Sequence, residues 1–341
     1  MALSDFSAKI NRHFKQEFIS EPGTTKGHRV SRYSTGSLAL DVATGGGFPF
    51  FRSVEVFGPE SAGKSLLLNR CAATITNRPT HNKVLIVDAE GSFDEDWAKK
   101  CGCNVSNIEV ARCDSGENEL NIIELATASG EFALVGLDSI AAVSPKAELD
   151  STMQENQMGV QARMLNKLHR KLYSAFNNAF RNDKPVGVIF INQLRHKIGA
   201  YGNPETTPGG MGTRYAVSIR VDLRLESHLK DEDDAIYGQV TKFFIPKNKI
   251  YTPLKKGSFT FHISGPHAGE VNNVAALFDM GIDYGFIEAG GAWYKSNWFP
   301  KAIQGRDNSV DYLSSLTIDE LNAKVDELST VLPFSGLDFK F

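Results

Sequence analysis

Residues 52–68 read RSVEVFGPESAGKSLLL. The stretch runs from β-formers (52–57) through a glycine-rich loop into helix formers. Within it Gly58, Gly63, Lys64 and Ser65 satisfy the spacing GxxxxGK[ST]. Each position has a mechanical reason. The two glycines let the backbone through Pro59, Glu60, Ser61 and Ala62 curl so that N–H groups face an anion. Lys64 adds a positive charge at the terminal phosphates, and the Ser65 hydroxyl is placed to ligate Mg2+. A helix beginning there turns its positive end to the same phosphates. The strand–loop–helix setting separates this pattern from an ordinary glycine turn and points to nucleotide binding.

The chain has 341 residues, 41% hydrophobic and 23% charged, enough for one large α/β domain and a smaller companion. Its net charge of −3 gives no overall bias toward nucleic acid, so such a partner would need a local basic patch. No apolar run approaches the ~18 residues of a membrane span, and MALSDFSAKI has no signal-peptide core. Cys71, Cys101, Cys103 and Cys113 form no CxxC pair, which reads as reduced, metal-free thiols in a cytoplasmic protein.

Phe6, Ile10, Phe14 and Phe18 recur every four residues, with Lys9, Arg12 and Lys15 between them, as in an amphipathic helix. So short a helix is marginal alone, and its stripe is expected to dock on its own domain or on a neighbouring subunit. From about 30 to 263, apolar runs (RSVEVF, KVLIVDAE, ALVGLDS, VGVIFINQ, SIRVDLRLE, VTKFFIPKN) alternate with helical stretches. This predicts an α/β core with a mainly parallel sheet covered on both faces and an antiparallel extension at its end. SGPHAGE marks a boundary near 264. A small α+β domain is expected to follow to 330, with 331–341 as a tail.

Ligands of open α/β sheets sit beyond the carboxyl ends of the strands. Asp138 ends ALVGLDS, where a carboxylate can hold the water shell of Mg2+. Glu90 follows the neighbouring strand and can polarise an attacking water. Gln193 ends VIFINQ, where an amide can contact a phosphate oxygen. Taken singly, each could be a solvated strand-end residue.

Together these positions resemble the bacterial RecA recombinase family over most of the chain. The stretches that carry the resemblance are STGSLALDVA, GPESAGKS, VDAEGSFDEDWAKKCG, DSGE, LDSIAAVSPKAE, MGVQARML, FINQLRHKIG, GNPETTPGG, KNKI and GAWY. PKAE, GNPETT and KNKI are particular to this recombinase among phosphate-loop ATPases. The resemblance implies a RecA-type ATPase core in which Glu90 activates water and Gln193 senses the γ-phosphate. It places Asp94 and Trp97 at the adenine, with Trp97 standing where the family commonly has Tyr; either ring can stack on the base. It has Lys247 and Lys249 reach the ATP of the adjacent subunit.

Between Gly159 and Ala200 eight basic residues face one acid, Asp183. Such a segment can neutralise phosphates, and it can equally be a solvated helix. Met158, Ala162, Leu165, Leu168, Leu172, Phe176 and Phe180 follow helical spacing as its buried face, leaving Arg163 and Arg170 on one exposed side. The resemblance makes 148–159 the first DNA-binding loop and 195–215 the second. Arg163, Arg170, Arg195, Lys197, Gly209 and Gly210 would then contact single-stranded DNA, and Tyr201 would stack or wedge at a base step. Arg306, after QG, stands where the family's C-terminal domain contacts the duplex. Three departures touch the second loop. It is one residue shorter at AYGNPE, it carries Pro208, and it has Met211 where a polar residue is usual. A proline there restricts a loop that orders on binding, so the resemblance carries over the activity but not the strength of the link between ATP and DNA.

The reading is an ATP-dependent, DNA-stimulated strand-exchange protein forming helical filaments on single-stranded DNA, with homologous duplex as second partner. A hexameric helicase shares the core and the head-to-tail contact, differing in the rotation per subunit; PKAE, GNPETT and the N-terminal arm favour the filament. A mediator that loads another recombinase is the third reading, against which the ATP site and both loops argue. SGLDFKF at the end reads first as a merely disordered terminus, and it also resembles the tips through which single-strand-binding proteins recruit partners.

Overall fold

The computed structural model describes residues 4–15, 18–19, 30–152, 159–196 and 205–341. Residues 1–31 and 32–341 are two compact units.

In the first unit, a helix Asp5–His13 starts at Ser4, whose hydroxyl accepts the Ser7 amide. The helix ends before the aromatic spacing does. The Asn11 side chain accepts the amides of Phe18 and Ile19 and turns the chain, so Phe18 lies outside the helix. Phe6 and Phe14 are 68% and 57% exposed.

The second unit is built on an eight-stranded sheet. In spatial order its strands are Lys256–His262, Ile236–Asn248, Ile219–Lys230, Ser53–Gly58, Gly187–Gln193, Leu134–Asp138, Val84–Asp88 and Ile108–Ala111. The last six pair in parallel and the first two add antiparallel, as the apolar runs predict. Two strands have no counterpart among those runs: the edge strand Ile108–Ala111 and the outer strand Lys256–His262. Both alternate small, polar and apolar residues and lack a continuous apolar signature.

Central strands with both faces covered should be buried throughout, and Ser53–Gly58, Val84–Asp88 and Leu134–Asp138 are. One hydrophobic cluster packs the helix Lys64–Thr76 on one face. Another packs the helices Gly116–Ser129 and Val160–Arg181 on the other. Register then fixes the site. Gly58 lies opposite Gln193 and Asp88 opposite Asp138, so the loops leaving these strands open at one edge.

A third cluster gathers the helices Asn273–Asp283, Arg306–Ser314 and Ile318–Ser329 with a small three-stranded antiparallel sheet. Leu38 of the helix Leu38–Thr44 belongs to it. Asn273 accepts the Leu38 amide and donates to the Gly36 carbonyl, bolting this region to the sheet unit. The terminal residues differ from the free tail expected of SGLDFKF. Leu332 and Phe339 are buried, Phe334 meets Tyr251 edge to face, Asp338 pairs with Arg78 at 3.0 Å, and Lys340 pairs with Asp326 at 2.8 Å. Two apolar anchors suffice to hold a short terminal segment down.

Candidate functional site

The phosphate loop is shaped by its neighbours. A Cβ on Gly58 would sit 2.2 Å from the Leu223 carbonyl oxygen, so the adjoining strand admits only glycine there. Gly63 has φ +87° and is the N-cap of the helix Lys64–Thr76. Gln239 Nε2 donates to the Ser61 carbonyl at 3.0 Å and Thr241 Oγ1 to the Ala62 carbonyl at 3.4 Å. With its carbonyls turned to the sheet, the loop leaves the first-turn N–H groups of the helix for a ligand. An anion-binding cradle results.

Lys64 is nearly buried, and its Nζ donates to the Pro59 carbonyl at 2.5 Å. Burial lowers its pKa, while Asp138, Glu90 and Glu60 act to raise it. Ser65 Oγ donates to Asp138 Oδ2 at 2.6 Å. Burial pushes the Asp138 carboxyl up to about 6, against the Ser65 hydrogen bond and with help from nearby Glu90. A hydroxyl and a desolvated carboxylate this close form a hard oxygen pair suited to Mg2+.

Glu90 Oε1 accepts from Gln193 Nε2 at 2.8 Å and from Ser139 Oγ. The residues expected as water activator and phosphate sensor therefore hold each other directly. The Glu90 amide donates to the Asp138 carbonyl at 3.2 Å, and Asp88 holds the turn that follows. Asp88 is buried and accepts the amides of Ser92 and Phe93 and the Arg112 Nε. Asp94 is the N-cap of the helix Glu95–Lys100, accepting from the Asp96 and Trp97 amides. Beside it a small cleft is lined by Ser65, Asn69, Asp88, Phe93, Asp94 and Trp97.

Lys247 is the penultimate residue of the strand Ile236–Asn248, and Lys249 follows its end. Lys247 Nζ donates to the carbonyls of Arg214 and Tyr215, at 2.5 and 2.9 Å, and Lys249 Nζ to that of Tyr215 at 2.9 Å. They thus cover the negative end of the helix Gly210–Ala216. Burial, and then Lys249, lower Lys247 to about 8.

On the helix Val160–Arg181, Arg163 and Arg170 are exposed along one side while Leu165, Leu168, Leu172 and Phe176 are buried. Phe180 departs from the expected buried face. It is 38% exposed and meets Phe51 edge to face. Arg195 is exposed on a short strand, Arg195–His196, paired with Glu205–Thr206. Gly209 and Gly210 both have positive φ and open the helix Gly210–Ala216. Met158, Lys197 and Tyr201 lie outside the described residues. Arg306 is held by Asp279 in a two-point ion pair, with Nη2 to Oδ2 at 2.8 Å.

Pattern reading misses several residues here. Ser139 and Arg112 gain their roles from neighbours far along the chain. His169, buried on the basic helix, has Nε2 3.1 Å from Thr213 Oγ1 of the Gly210–Ala216 helix, and burial pushes it down to about 4. Asn192 has a usable signal: it is an amide inside an apolar strand.

The family profile described as the RecA N-terminal domain matches residues 1–265. The chain belongs to the RecA family. It is similar to Protein RecA of Streptomyces venezuelae, 36% identical over 330 residues, covering 96% of this chain and 84% of the relative. Protein RecA of Colwellia psychrerythraea is 38% identical over 315 residues, covering 92% and 87%. Protein RecA of Ehrlichia canis is 37% identical over 328 residues, covering 95% and 88%. As a RecA-family protein the chain is a DNA-dependent ATPase that forms helical filaments and carries out strand exchange in homologous recombination. The family uses ATP, generally with magnesium. No described helix is long and apolar enough to cross a membrane.

Proposed function

We propose that residues 58–65 hold the ATP phosphates, with Lys64 on the terminal ones, and that Asp94 and Trp97 hold the adenine. Ser65 and Asp138 would hold Mg2+, which would supply positive charge to offset the negative charge developing on the phosphates. Glu90 orients and polarises the attacking water. Gln193 leaves Glu90 for the γ-phosphate and so reports its presence to the second loop. Lys247 and Lys249 leave the carbonyls of the Gly210–Ala216 helix to reach the ATP of the next subunit. The observation that carries this reading is the meeting of Lys64, Ser65, Asp138, Glu90 and Gln193 at one sheet edge.

Arg163, Arg170, Arg195, Lys197, Tyr201, Gly209 and Gly210 form the single-strand interface. Their charges meet phosphates and leave base edges open to pair with a homologous duplex. Arg306 contacts that duplex after giving up Asp279. Residues 1–29 are the oligomerisation arm, 30–263 the ATPase core and 264–330 the C-terminal domain. A single-strand-binding protein would engage 331–341 only by drawing Phe339 from its cluster. The cytoplasm is the proposed location, in keeping with four unpaired cysteines. The test is Glu90→Gln. It should bind ATP and hold single-stranded DNA tightly while losing hydrolysis by at least about a hundredfold. Hydrolysis at the wild-type rate would remove Glu90 from the mechanism.

A further inference from the structure

Asn192, one residue before the sensor amide, is fully buried in the strand Gly187–Gln193. Its Nδ2 donates to Glu55 Oε1 at 2.8 Å and to the Pro208 carbonyl at 3.1 Å. Its Oδ1 accepts the Gln193 amide at 3.0 Å. Glu55 is buried too, on the strand that enters the phosphate loop, and its other oxygen takes Arg220 Nε. One side chain therefore ties together the strand feeding the phosphate loop, the peptide carrying Gln193, and the residue just ahead of Gly209 and Gly210.

A buried amide is costly unless its groups are paired. An aliphatic residue would fill this position without that cost, in a strand that otherwise reads Val–Ile–Phe–Ile. What an aliphatic residue could not do is grip Pro208. Proline has no N–H and a fixed φ, so its carbonyl is its backbone handle, and Asn192 holds it. Asn192 thus links the peptide of the residue that holds Glu90 to the Pro208 carbonyl through its two ends.

We propose that Asn192 is a positioning residue through which the nucleotide state at Gln193 and Glu90 sets the second DNA-binding segment. The proposal rests on the assignment of Arg195 and the following residues to DNA. The measured quantity is the ratio of single-stranded DNA affinities with and without a slowly hydrolysed ATP analogue, by anisotropy of a labelled oligonucleotide. In Asn192→Ala this ratio should fall about tenfold, the scale of one lost buried hydrogen bond, while nucleotide affinity without DNA stays the same. By reciprocity, DNA should lose the same factor in its effect on nucleotide affinity, which a purely structural role would not produce. Pro208→Gly, on a half-buried loop, keeps the carbonyl and frees the backbone. It should shift the ratio the same way, and it decides the matter if Asn192→Ala fails to fold. An unchanged ratio in the folded variants overturns the proposal. Arg195→Ala separates the two layers: weaker DNA binding with an unchanged Asn192→Ala ratio overturns the relay alone. Unchanged DNA binding in Arg195→Ala overturns the assignment on which the relay rests.

Discussion

Asp138 is ionised against its surroundings. Its carboxyl is raised from 3.8 to about 6, chiefly by burial, so its ionisation opposes folding. That cost is absent below pH 3.8, grows between 3.8 and 6, and is complete above 6. A cation beside Ser65 would offset it. Asp138→Asn should therefore raise the stability of the ligand-free protein at pH 7.5 by roughly 1–3 kcal/mol, with the gain fading toward pH 4. The same variant should lose ATPase activity. Urea unfolding against pH checks the first part; a destabilised variant at pH 7.5 would show that the carboxylate is held by favourable contacts instead. The residues legible in the sequence were those whose type and spacing the chemistry dictates, such as Gly63, Lys64 and Ser65. Ser139, Arg112 and Asn192 act through partners on other strands, and no local spacing encodes them.

At the scale of elements, apolar runs revealed six of the eight main strands because burial on both faces leaves a continuous signature. Ile108–Ala111 lies at an edge with Glu109 exposed, and short half-exposed strands carry little pattern. The basic helix follows its spacing from Leu165 to Phe176 and leaves Phe180 exposed. Its exposed side carries a prediction. Arg170→Ala should weaken single-stranded DNA binding alike on all sequences and reduce the salt dependence by about one charge. A loss confined to particular base sequences would mean a base contact. The terminal segment misled the sequence reading because aromatic residues suit a recruiting tip and a packed anchor equally. With Phe339 buried, Phe339→Ala should cost about 3 kcal/mol in equilibrium unfolding. A free tip would leave stability unchanged.

At the scale of the whole molecule, the central claim is that the active site is completed by a second subunit. Glu90 stands with Gln193 at the phosphate-loop edge, while Lys247 and Lys249 hold the carbonyls of a different helix. Head-to-tail assembly brings such separate faces together. Glu90→Gln and the Lys247→Ala/Lys249→Ala double variant should each be nearly inactive as ATPases, with defects on opposite sides of one interface. Mixed in equal amounts, with co-assembly into filaments confirmed by electron microscopy of differently labelled subunits, they place an intact phosphate site against intact lysines at about a quarter of interfaces. The account predicts that ATPase activity returns to roughly that fraction of wild type. Confirmed mixed filaments with no recovered activity would contradict it, because lysines acting within their own subunit leave every subunit defective.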